Sequence, residues 1–205
     1  MTAPALAASV FINCPFDAAY QPLFDRLVFT VARAGFTPRC ALEIDDGAGT
    51  RIDKILDLIE NCPLAVHDIS RTEPDAATGL PRFNMPFELG LFLGARRFGD
   101  ARQRAKRCLV LDREPYRYRA FLSDIAGQDI HAHAGEPGKL VREVRNFLAA
   151  NADGRIVPSA QIIRDDFLAL ERRKPEICAA LELDPTDLTF GDYTTLVEQY
   201  LNLAT

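Results

Sequence analysis

A chain of 205 residues, 48% of them apolar, has ample material for a core and is long enough for one large domain, or for one domain with a small appendage. Its net charge of −5 gives no reason to expect nucleic acid as a partner. The five cysteines (Cys14, Cys40, Cys62, Cys108 and Cys178) are scattered and odd in number, which argues against a disulfide framework or a zinc site. The basic run from Arg96 to Arg107 reads as a solvated surface turn. Residues 1–8 are small and apolar without a basic leader region, so they read as a lead-in rather than a signal peptide. No run approaches a membrane span. A reducing cytoplasm and no membrane partner are therefore expected.

Along the chain, Ser9 to Asn13 reads as a short buried strand. A helix follows from near Tyr20, because Pro22 fits only a first turn, and it ends at Gly35. Thr37 to Leu42 is the second strand. Glu43 to Thr50 is an acidic loop with two glycines, suited to a mobile cover over a cleft; Asp45-Asp46 alone is a weak cation signal. Ile52, Ile55, Leu56 and Ile59 mark one face of a helix over Arg51 to Asn61. Pro63 to Ile69 is the third strand, followed by a polar loop from Thr72 to Arg82. An apolar helix then opens near Pro86, which suits a first helical position and puts Glu88 in the first turn. Arg107 to Asp112 is the fourth strand, Tyr116 to Ile125 a helix, Gln128 to His133 a short fifth strand, and Lys139 to Ala150 a helix.

Five strands alternating with helices predict an α/β fold: a flavodoxin-like, doubly wound parallel sheet in the order 2-1-3-4-5. The α/β domain is expected over 1–152. Residues 153–205 form a small C-terminal helical region, with helices over Ser159 to Arg173 and Thr194 to Leu203 and interruptions at Pro175 and Pro185. About fifty residues are marginal as a free-standing domain, so docking onto the sheet domain is expected.

Ligands of such sheets bind beyond the carboxyl ends of the strands. The exits of strands one to three and the Glu88 loop should converge there. Glu88 is the foremost candidate, although an acid near a helix start also has a plain electrostatic explanation. Asn13 and Asp17 follow the first strand and Asp68 ends the third. Asp17 would equally cap the first helix, and Asp68 would equally cap the next turn. His131 and His133 form an HxH pair that would share one face of a strand, but two ligands do not close a zinc site. Gly47-Ala48-Gly49 follows the second strand and lacks a third glycine, which disfavours a dinucleotide-binding dehydrogenase. No GxSxG elbow and no P-loop are present.

The runs Val10-Phe11-Ile12-Asn13, Gly49-Thr50-Arg51-Ile52-Asp53-Lys54-Ile55, Ile59 to Ser70 and Phe87-Glu88-Leu89 resemble TIR domains. Asp68, Asn84 and Glu88-Leu89-Gly90 are also similar to nucleoside 2-deoxyribosyltransferases. The resemblance covers about residues 8 to 150. It departs at Phe83 to Phe87, where TIR domains carry a serine and often a Trp-Cys pair; this chain has no Trp. Both families imply cleavage of an N-glycosidic bond at a ribose. The resemblance implies Glu88 as the catalytic carboxylate, Asn13, Asp17, Asp68 and Asn84 as substrate contacts, and Phe11 or Phe83 as a stacking surface for the base. It implies NAD as substrate, with nicotinamide leaving, no metal and no separate cofactor, in a prokaryotic immune effector that would work as a homo-oligomer. Two other functions follow from the same resemblance: a nucleoside or nucleotide deoxyribosyltransferase or hydrolase, and a non-catalytic TIR-like module that binds a nucleotide or another protein.

Overall fold

The computed structural model describes residues 8–43, 47–74 and 79–203. Five strands pair in parallel: β1 (Ser9–Asn13), β2 (Thr37–Arg39), β3 (Leu64–Asp68), β4 (Arg107–Asp112) and β5 (Ile130–Ala132). Their spatial order is β2-β1-β3-β4-β5, the flavodoxin-like order expected. The helices are α1 (Gln21–Arg33), α2 (Arg51–Asn61), α3 (Asn84–Phe98), α4 (Ala101–Arg104), α5 (Pro137–Ala150), α6 (Ala160–Ala180) and α7 (Phe190–Leu203). None is long and apolar enough to cross a membrane.

The central strands are apolar on both sides because both faces are covered. Val10, Ile12, Val66, Leu109 and Leu111 pack toward α1 and α5, whereas Phe11 and Ala65 pack toward α2 and α3. α1 starts after Tyr20, with Pro22 inside its first turn, and stops before Gly35. Gly35 has φ +80°, a left-handed conformation that favours glycine, and its carbonyl accepts from the Arg155 guanidinium at 2.8 Å. α2 begins where Thr50 accepts from the Asp53 N–H, a side-chain cap that fixes its first turn.

The C-terminal helices lie on the α1/α5 layer. Ile163, Phe167, Leu170, Val197 and Tyr200 share one core with Val28 and Phe29, and Phe29 meets Phe167 edge to face at 5.5 Å. Arg33 pairs with Asp166 at 2.7 Å.

Four local expectations are corrected. β2 is shorter than Thr37–Leu42, because the chain turns at Cys40, whose carbonyl accepts from Glu43 N, while Arg39 pairs with Glu43. Tyr116 to Ile125 is not a helix but two 3-10 turns, Arg117–Ala120 and Ser123–Ile125. Tyr116 sits in the left-handed region at φ 62°, and Arg117 reaches across to Asp112, Thr72 and the carbonyls of Ile69 and Ser70. That lateral anchoring leaves no room for a regular helix along the sheet. Pro175 does not interrupt α6 but lies inside it. The ring removes one backbone bond, to the carbonyl of Glu171, and both residues are exposed, so water can take the freed acceptor.

The fourth correction concerns the basic run. Lys106 is only 2% exposed rather than solvated. Its ammonium donates to the carbonyls of Glu60 (3.2 Å) and Cys62 (2.5 Å) at the end of α2, and lies 5.6 Å from the centre of the Phe92 ring. It thus serves as a charged cap at the negative end of a helix dipole, at the cost of a desolvation that lowers its pKa. Lys106→Met keeps the apolar stem but strands both carbonyls; urea unfolding should show a loss of about 1–3 kcal/mol.

Candidate active site

The chain order reverses between β1 and β3, and the carboxyl ends of these strands part there to leave a cleft of about 780 Å³. Its walls come from the exits of β1, β2 and β3 and from the starts of α2 and α3. Asn13, Asp17, Arg51, Arg71, Asn84 and Glu88 all line it. No residue of the C-terminal helices does.

α3 begins at Asn84, two residues before Pro86, so Glu88 lies two residues further in than expected, in the second turn. Pro86 still falls among the first residues, whose N–H groups have no partner within the helix. Met85, Leu89 and Phe92 anchor the helix to the sheet. Glu88 is on that inward side and is only 5% exposed, yet it borders the cleft. No described residue hydrogen-bonds or ion-pairs with its carboxylate. Burial therefore pushes its pKa up to about 7, against a smaller opposing pull from Arg51. A carboxyl that changes charge near neutral pH inside the main cleft has the properties of a catalytic group.

Asn13 ties the floor together. Its Nδ2 donates to Met85 O at 2.9 Å and lies 3.0 Å from His67 Nδ1. Both amide N–H groups are thus used, which leaves Oδ1 as the atom able to accept from a ligand. His67 is fully buried, edge-on to Phe11 and Phe92, and desolvation lowers its pKa to about 3. It is neutral at physiological pH, and the bond from Asn13 assigns its proton to Nε2.

Asp17 holds the start of α1. Its Oδ1 accepts from the N–H groups of Ala19 and Tyr20, at 3.1 and 3.2 Å, and from Arg71 at 3.1 Å. Asn84 is exposed at the first position of α3. The structure therefore brings Asn13, Asp17, Asn84 and Glu88 around one space.

Three other candidates lie elsewhere. Asp68 follows His67, so strand alternation sends it to the opposite face of the sheet. There it accepts from the Tyr20 hydroxyl and from Ser70 N (2.9 Å), and its Oδ2 is 3.1 Å from His133 Nε2. Burial raises its pKa, but contacts with His133, Tyr20 and Ser70 outweigh that and leave it below the usual carboxylate value. Phe11 is completely buried and has no face open to a base. Phe83 is exposed at the α3 start and does not line the cleft. Asp45 and Asp46 fall outside the described residues.

The two histidines of the HxH pair separate. His131 lies 2.8 Å from Glu143 Oε2, whereas His133 sits past the end of β5 in the Asp68 cluster. Among the described residues no group of three His, Cys, Asp or Glu is placed to hold a metal. Sequence reasoning missed His67, Tyr20 and Arg51 as site or support residues, and weighed His133 only as a metal ligand. The available signals were a histidine inside the apolar run Leu64 to Asp68 and an arginine directly after the Gly49-Thr50 helix start.

No family model matches the chain, and no curated protein sequence matches it. The geometry alone carries the chemical argument. A buried carboxylate, unpaired among the described residues, faces a roomy cleft rimmed by Arg51, Arg71 and Arg82. Such a site suits a substrate that carries anionic groups at the rim and develops positive charge next to Glu88.

Proposed function

We propose that this protein cleaves the N-glycosidic bond of a nucleotide in the cytoplasm, with NAD as the leading substrate and nicotinamide as the leaving group. The observation that supports this most is Glu88: a carboxylate without a partner among the described residues, at the switch-point cleft, with a pKa raised to about 7. Breaking an N-glycosidic bond develops oxocarbenium character at the sugar; an adjacent ionised carboxylate stabilises it or attacks it, and water then bonds to the anomeric carbon and releases one proton to solvent. Nicotinamide leaves NAD as a neutral base and needs no proton. The ionised form of Glu88 is therefore the active one. The cationic transition state lowers the cost of that ionisation, because opposite charge nearby favours the charged carboxylate. Asn13 Oδ1 and the Asn84 side chain would hold ribose hydroxyls, and the rim arginines would hold the phosphates.

The test is base release from NAD and, in parallel, from deoxynucleosides. The expected result is nicotinamide from NAD, with kcat/KM rising through about pH 7 as Glu88 loses its proton. A rate that falls through the same range would make Glu88 a proton donor and overturn its assignment. Release from deoxynucleosides alone would establish a deoxyribosyltransferase or hydrolase instead. Thermal stabilisation by nucleotides without turnover would establish a binding module.

A further inference from the structure

The basic run from Arg96 to Arg107 separates in space into two sets. One set is committed to the chain's own structure. Lys106 donates to the carbonyls of Glu60 and Cys62, Arg102 donates to Asn61 Oδ1 at 3.3 Å, and Arg107 donates to Asn151 Oδ1 at 3.0 Å. The other set is Arg96 and Arg97 in the last turn of α3 and Arg104 in α4. With Leu93, these arginines line a surface depression of about 600 Å³. All three are exposed, and none of their guanidinium groups has a hydrogen-bond or ion-pair partner among the described residues. Among the described residues no acid lines the depression. Cations in the last turn of α3 suit its dipole, but that does not account for an arginine brought to the same hollow by a second element.

We propose that this depression binds a small molecule carrying two or more phosphate groups. Like charges around one hollow repel one another, and a concave wall focuses their field, so the arrangement favours a ligand that brings several negative charges together. Each guanidinium presents its N–H donors in a planar fork. One fork takes up both oxygens of a carboxylate, whereas a phosphate bonds one guanidinium in bidentate fashion and has oxygen left for a second. Successive phosphates of a short chain can therefore bridge all three arginines. A nucleic-acid strand fits less well, because it would run on past the hollow to Asp100 and Glu60, acids close enough to act on Lys106.

The depression is distinct from the Glu88 cleft. The two share no lining residue, and Arg96 lies about 12 Å further along the axis of α3 than Glu88. None of this depends on what Glu88 catalyses.

Isothermal titration of the full chain with inorganic tripolyphosphate and with ATP tests the proposal, beside orthophosphate and citrate. Tripolyphosphate should bind about ten-fold or more tightly than orthophosphate or citrate, with an affinity that falls as salt is raised. Arg97→Glu and Arg104→Glu should each weaken it about ten-fold or more. Arg102→Glu makes the same change in net charge outside the hollow, and should weaken it less than about two-fold. Circular dichroism and thermal midpoints of these variants should match the wild type, since all three residues are on the surface. ATP should lose affinity with the same two variants. Equal affinity for ATP and tripolyphosphate would mean that the phosphates alone are read, and tighter binding of ATP that its nucleoside is read as well. No binding of either compound would overturn the proposal, as would orthophosphate or citrate binding equally well, or equal weakening by Arg102→Glu. So would tripolyphosphate binding that Arg71→Gln removes and Arg97→Glu leaves intact, or binding of a single-stranded oligonucleotide alone.

Discussion

Glu88→Gln should all but stop the proposed base release and, above neutral pH, yield a more stable protein. The two effects share one cause. A carboxyl whose folded pKa is raised from 4.5 to about 7 binds more protons in the folded state than in the unfolded state between those values. The stability of the wild type therefore falls as pH rises from about 4.5 to about 7, then levels off. Glutamine has no charge to desolvate, so the variant lacks this slope. Part of the site opens to the cleft and is screened by solvent. The gain expected at pH 8 is accordingly about 1–2 kcal/mol, and it disappears near pH 4. Under the proposed role, loss of the charge next to the glycosyl cation should lower kcat about a thousand-fold. Denaturant unfolding of both proteins at pH 4 and pH 8, beside the rate measurement, reads both effects. Equal stability at pH 8 would mean that the Glu88 carboxylate is well solvated or paired, and would remove the reason for its raised pKa.

The opposite sign is expected on the other face of the sheet. Asp68→Ala should destabilise the protein by about 3–5 kcal/mol, because it leaves the Tyr20 hydroxyl, Ser70 N and His133 without their buried acceptor. Tyr20→Phe, which removes one contact of the set, should cost about 1–2 kcal/mol. The folded pKa of Asp68 lies below its ordinary 3.8. Its stabilisation is therefore complete above that value and is lost only as pH falls through the lower folded pKa. The gap between wild type and Asp68→Ala should be constant from neutral pH down to about 4 and close only in stronger acid. A gap already closing near pH 6 would contradict a folded pKa for Asp68 below its ordinary value.

Asp68 also shows how far the sequence could be read. The architecture was plain from the alternation of strand and helix. The bounds of α2 were plain from Thr50 and the Ile52/Ile55/Leu56/Ile59 spacing. The convergence of Asn13, Asp17, Asn84 and Glu88 followed from the switch-point rule. Asp68 was grouped with them because it ends the adjacent strand. Strand parity already argued otherwise: with Asn13 opposite His67 in the sheet register, the neighbouring Asp68 must face α1. Phe11 was legible in the same way, since a residue inside an apolar β1 under two helices has no free face. What the sequence did not carry was distance. That Lys106 lies under the end of α2, or that Arg117 holds the chain out of a helix, depends on where remote carbonyls lie. Pro175 misled because the packing of α6 on both sides of it, through Ile163, Phe167, Leu170 and Ile177, outweighs the local cost of the ring.

The most direct test of Glu88-dependent glycosidic cleavage is a proton NMR time course of NAD mixed with the wild-type protein or with Glu88→Gln, both verified as folded. Free nicotinamide should accumulate with the wild type and stay at the uncatalysed level with the variant. Equal nicotinamide release by the two proteins would contradict the role of Glu88, and intact NAD with both would contradict the choice of NAD as substrate.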